Sequence, residues 1–150
     1  MKRLLAILCA VLLMIGAAVA EDFTVYVLCQ PNSFVNVRQF PNKGADVAGR
    51  VELGWQLETD GVKRNGFIHV FGNFESDGWI SAGYVTEYPV EVRTVETEIN
   101  APGRVACRRS IKGTRRKWLL GGQKVVIYAL ADDWAVTNQG FIQTQYLGVF

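Results

Sequence analysis

The chain has 150 residues, 20% of them charged and 49% hydrophobic, with a formal net charge of +2 and three cysteines. That length bounds it to one ordinary domain or two very small ones. Charge this close to balance gives no general attraction for nucleic acid, which is not an expected partner.

Lys2 and Arg3 open the chain, residues 4–20 are apolar without a charge, and Ala18-Val19-Ala20 precedes Glu21. This is the layout of a signal peptide over residues 1–20, cleaved before Glu21. The mature chain is therefore expected to be secreted or held in the cell envelope, outside the cytoplasm. No later stretch has the length and apolarity of a transmembrane span. Loss of Lys2 and Arg3 leaves a neutral chain that is unevenly charged. Residues 21–100 carry six basic and twelve acidic side chains, and residues 101–150 carry eight basic and two acidic. Opposite charges of this kind would favour packing of the two parts on each other.

Past the signal, short β-branched and aromatic runs alternate with turn signals. "FTVYVLC" (23–29) and "FVNVR" (34–38) are strands separated by Gln30-Pro31-Asn32-Ser33. In the second of them, Val35 and Val37 share one face, while Asn36 and Arg38 share the other. "VELGWQLET" is broken by Gly54, "GFIHVFG" is a strand, and "DGWISAGYVTEY" is a short strand entering a tight turn. No segment after residue 21 sustains a 3.6-residue apolar period, so an all-β fold is expected.

The same order then returns. Val105-Ala106-Cys107-Arg108 stands for Val35-Asn36-Val37-Arg38, Lys112-Gly113 for Lys43-Gly44, and Gly122 for Gly54. "DDWAV" answers "NGFIHV", and "QGFIQTQYL" (139–147) answers "DGWISAGYV" (77–85). The second copy is shorter where "FGNFESDG" becomes "TNQG", a change that a loop tip tolerates.

Asn36-Val37-Arg38, Gly54, Gly78-Trp79-Ile80 and Tyr84-Val85 together resemble the bacterial SH3-like (SH3b) domains. The second copy departs from that pattern at Ala106, Cys107 and Phe141. The resemblance implies two tandem small SH3-like barrels, at 21–88 and, in divergent form, at 89–150. It also implies binding without catalysis: an exported module for cell-wall peptidoglycan or an associated anionic wall polymer. The alternative is a protein–protein module that docks on, or regulates, a separately encoded envelope protein.

Residue chemistry points the same way. His69, the single histidine, sits among apolar neighbours in "FIHVF" with no local nucleophile or carboxylate, so no enzyme is expected. Asp132 and Asp133 point to opposite faces of an extended chain and read as a turn, not as a proton-sharing pair. No metal-ligand spacing occurs, and no cofactor is expected. Cys29 and Cys107 remain after cleavage, and they form either one disulfide or two buried thiols.

Two features suit binding. Phe40, in the polar loop, and Trp55, past a turn, are expected to be exposed, whereas Trp79 and Phe141 in the closing strands are expected in the core. Residues 104–117 hold seven cations in fourteen positions. In the SH3-like pattern they occupy the loop that borders the ligand groove. The expected ligand-binding residues are thus Arg38, Phe40, Trp55, Arg108, Arg109, Arg115, Arg116 and Lys117. A solvated loop, or one docked on the acidic half, is the competing reading of the basic run.

Overall fold

A computed structural model describes residues 22–72 and 77–148. The signal peptide expected at 1–20 lies outside the described residues. So do residues 73–76, in the loop that the second copy shortens.

The described residues are all-β, as expected. Residues 23–86 form β1 (Phe23–Val27), β2 (Val35–Arg38), β3 (Val47–Val51), β4 (Gln56–Thr59), β5 (Lys63–Arg64), β6 (Phe67–Val70), β7 (Gly78–Ser81) and β8 (Val85–Thr86). They pair antiparallel as two small sheets, ordered β4-β1-β8 and β3-β2-β7-β6-β5. Residues 91–143 form β9 (Glu91–Glu98), β10 (Arg104–Arg108), β11 (Arg115–Leu120), β12 (Lys124–Ala131), β13 (Trp134–Thr137) and β14 (Gly140–Gln143). These make one sheet, ordered β11-β10-β14-β13-β12-β9. Strand pairing stays within each group, an arrangement consistent with small SH3-like barrels.

The sequence repeat is also a repeat of register. β2 pairs with β3 and β10 with β11, each with a register shift just before the arginine, at Val37/Arg38 and at Cys107/Arg108. The arginines then pair with the aromatic of the closing strand, Arg38 with Trp79 and Arg108 with Phe141. The turn glycines make the same bond, Gly54 N–H to Val27 O and Gly122 N–H to Ile99 O, both at 2.8 Å.

The Gly-aromatic start of β7 and β14 has a steric cause. A Cβ on Gly78 would lie 2.3 Å from Val37 Cγ1. One on Gly140 would lie 2.7 Å from both Arg108 O and Cys107 Sγ. In each copy the closing strand can reach the β2 or β10 backbone only without a side chain there.

Period-two alternation sends one side of each strand into a core. The first core gathers Val25, Val27, Val35, Val37, Val51, Leu57, Ile68, Val70 and Ile80. The second gathers Ile99, Val105, Cys107, Leu119, Val125, Ile127, Ala135, Ile142 and Leu147. A third cluster spans the two groups, packing Leu28, Leu53 and Tyr84 against Ala129, Trp134, Val136 and Phe141. Beside it, Ile111 N–H donates to Gly83 O at 2.9 Å. The halves therefore meet through apolar burial and backbone bonding. The opposite charges seen in the sequence do not pair across this contact: none of the cations of 104–117 has an ion-pair partner among the described residues.

Candidate functional site: two equivalent grooves

Alternation that buries Val35 and Val37 turns Phe34, Asn36 and Arg38 outward, and the same logic in the second copy turns out Arg104, Ala106 and Arg108. The partner strands add Arg50 opposite Asn36 and Trp118 opposite Ala106. A cation–π pair results in both copies, with its members exchanged. Arg50 lies 4.4 Å over the Phe34 ring, while Arg104 lies 5.9 Å over the Trp118 ring. Arg115 approaches Trp118 as well, at 4.5 Å, although the indole is 45% exposed.

Each outer face borders a groove. In the second copy a groove of about 400 Å³ is lined by Arg104, Ala106, Arg108, Trp118, Gln143 and Tyr146. In the first copy a groove of about 480 Å³ is lined by Phe34, Asn36, Arg38, Ser81 and Tyr84. The shared positions include 34/104, 36/106, 38/108, 81/143 and 84/146, so the two groups of strands present grooves at corresponding places. The chemistry has diverged. The second groove is framed by arginine and tryptophan. The first sets the amides of Gln30 and Asn36 beside Arg38 and Lys43 and continues onto the second copy at Arg109, Ser110 and Phe141.

The expected site residues separate into three groups. Arg38 Nη1 donates to Ala45 O at 2.6 Å, and Arg108 Nη1 donates to Gly113 O at 2.9 Å. Both thus fasten the loop that follows their strand while bordering a groove. Arg109 lines the first groove, as Arg38 does. Arg115, Arg116 and Lys117 lie on β11, the exposed edge of the six-stranded sheet, where Lys117 Nζ donates to Gln139 Oε1. Phe40 and Trp55 are exposed, as expected, but neither lines either groove.

Of the two forms expected for Cys29 and Cys107, the structure shows free buried thiols, in different cores; the expectations for His69 and Trp79 need correction. Burial, with a smaller contribution from Glu52, pushes Cys29 up to about 11. Burial also raises Cys107, against the opposing pull of Lys117 and Arg116. His69 does have a carboxylate partner: its Nδ1 lies 2.9 Å from Asp60 Oδ2. Burial raises the Asp60 carboxyl, but bonds from His69 and the Val62 N–H outweigh it and hold the group below its usual value. The His69 ring packs at 4.9 Å from both Phe71, edge-on, and Trp79, tilted. Trp79, finally, is half-buried beside His69, whereas Phe141 is in the core as expected. Asp132 and Asp133 do form the turn before β13.

Sequence reasoning passed over Trp118 and Asn36 as groove residues. Their signal was the alternation of β10 and β11, which becomes readable only once the strand register is fixed.

No family model matches the chain, and no curated protein matches it. Among solved structures, it is similar to NlpC1 of Trichomonas vaginalis, at 18% identity and a TM-score of 0.36 over 90% of this chain and 48% of that one. It is similar also to NlpC2 of the same organism, at 18% identity and a TM-score of 0.37 over 86% of this chain and 48% of that one. The chain spans about half the length of these structures.

Proposed function

We propose that the chain is an exported, non-catalytic binding module of the SH3-like kind, and that its ligand is an anionic polymer of the cell envelope. The observation that carries this reading is the face around Trp118. An exposed indole is flanked by Arg104 and Arg115, and Arg116 and Lys117 continue the positive edge along β11. Cations without carboxylate partners retain their charge for an incoming phosphate or carboxylate. The indole offers a sugar or other flat apolar surface a large contact at little entropic cost. The half-buried His69–Asp60 pair is read as structural, since its ring packs against both Phe71 and Trp79. The two thiols are read the same way, because burial keeps them protonated.

The test is retention of the purified protein on isolated sacculi, before and after acid stripping of the attached polymers. Stripping is expected to abolish most retention, and so is the triple change Arg115→Ala, Arg116→Ala, Lys117→Ala. Retention that survives both would move the ligand to peptidoglycan itself. Absence of retention on either material, with recovery of one defined envelope protein instead, would replace this reading by the protein-docking one.

A further inference from the structure

Asn65 and Gly66 form the tip of the β5–β6 turn, between the paired residues Arg64 and Phe67. Both are exposed, and both have left-handed φ, 50° and 78°. Of the seven asparagines in the chain, only Asn65 is followed by glycine. A Cβ built on Gly66 would meet nothing within 4 Å. The Gly66 N–H lies outside the strand ladder and donates to no group among the described residues. The Asn65 side chain, by contrast, is engaged: its Nδ2 donates to Pro41 O at 3.3 Å. Among the described residues this is the one hydrogen bond that ties loop 39–46 to a strand pair other than its own. The remaining bonds of that loop run within it or to Arg38. The second copy has Asp132 at the corresponding point. Ala131 pairs with Trp134 across an equivalent two-residue turn, and Asp132 has a φ of 49°. A carboxylate therefore fits this backbone, but it has no hydrogen to give to a carbonyl.

We infer that Asn65 is a site of spontaneous deamidation, and that its conversion to aspartate unfastens the loop beside the first groove. The Gly66 nitrogen gives its proton to hydroxide and attacks Asn65 Cγ. A new C–N bond closes a five-membered imide, the Cγ–Nδ2 bond breaks, and the departing nitrogen takes up a proton and leaves as ammonia. Water then opens the ring. Attack at Cγ yields aspartate in an ordinary backbone, and attack at the main-chain carbonyl yields isoaspartate. The balance is one water consumed and one ammonia released, without oxidant or reductant. A following glycine favours the first step, because it has no Cβ to obstruct the approach and turns freely. Aspartate sets an anion against Pro41 O where a donor stood, and isoaspartate removes the donor as well. The released loop carries Lys43, which lines the first groove, so the change reaches that groove. This inference does not depend on the polymer reading, which concerns the Trp118 face.

The experiment is a time course of the folded, full exported chain in mildly alkaline buffer, followed by peptide mass mapping. The mass gain of an amide-to-acid change is expected at Asn65 before any other asparagine, and faster as pH rises. Part of the product should be isoaspartate, detected by isoaspartyl methyltransferase, and Asn65→Gln should abolish the gain. A folded chain that stays unchanged at Asn65 while the urea-unfolded chain converts would overturn the inference. So would earlier conversion at another asparagine. The consequence is read by amide hydrogen exchange at Asn42, Gly44 and Ala45 in Asn65→Asp. Exchange there should be roughly fivefold faster than in the native protein, the factor expected for one lost hydrogen bond. The aged native protein set against the fresh one gives the same readout without a variant. Equal exchange in both comparisons would contradict the unfastening.

Discussion

Gly78 and Gly140 show how one missing Cβ sets the position of a strand. Replacing either by Ala forces a methyl into Val37 or into the Arg108 carbonyl. The obstruction at Gly78 is a core side chain, and at Gly140 it is partly backbone, so neither can simply swing away. We expect each Ala variant to lose about 1–3 kcal/mol, the usual cost of overpacking, measured by urea unfolding. A loss below a few tenths would mean that β7 and β14 stand further from their neighbours than described. The thiols give a second prediction at this scale. Cys29 titrates near 11 in the folded chain, against an ordinary value of 9.0. A raised thiol favours the folded state while the unfolded thiol is still protonated. Its contribution is therefore complete below pH 9.0 and is lost as pH rises toward 11. Stability measured in that window should fall in the native protein, and Cys29→Ala should flatten part of the fall. Neither thiol should react with iodoacetamide near neutral pH until the chain is unfolded.

At the scale of elements, the strands were legible in the sequence and their partners were not. Val35-x-Val37 announced an inward and an outward face, and the repeated Gly-aromatic-Ile announced two closing strands. What lies opposite an outward residue depends on register, and both copies slip register before the arginine, at Arg38 and at Arg108, with a further slip in the second at Ile127/Ala129. For that reason the exchanged cation–π pairs, Phe34 with Arg50 and Trp118 with Arg104, could not be read from either string alone. Asp60 was missed as the partner of His69 for a similar reason. It follows β4, and the Glu58–Phe71 bridge together with the Thr59 Oγ1 bond to His69 O brings it alongside β6. The pair is only partly buried, so Asp60→Asn should cost about 1 kcal/mol or less at neutral pH. The sign follows from a lowered carboxyl: the contribution is present above the unfolded carboxyl's range and is lost as pH falls through the folded one. β11 offers another test. It is an edge strand whose Arg115, Arg116 and Lys117 discourage pairing with other chains. Arg116→Ile combined with Lys117→Val should therefore make the protein self-associate, as seen by sedimentation. A variant that stays monomeric would leave the cations without that protective role.

For the whole molecule, two grooves at corresponding positions differ in their chemistry. Sequence charge correctly marked the second half as the cationic one, but it misassigned the force between the halves. They meet at Leu28, Trp134, Phe141 and Tyr84, while the cations of 104–117 have no ion-pair partner among the described residues. Cations used internally would not be available to a ligand; under the proposed function those of 104–117 meet the envelope polymer. The central claim is that the Trp118 face holds an anionic envelope polymer, and retention on intact sacculi across a salt series tests it most directly. Exposed charges are screened over about 8 Å at physiological ionic strength, so retention should fall steadily as salt is raised. The Trp118→Ala protein should bind more weakly at every salt concentration without a change of slope. Retention indifferent to both salt and Trp118 would contradict the account.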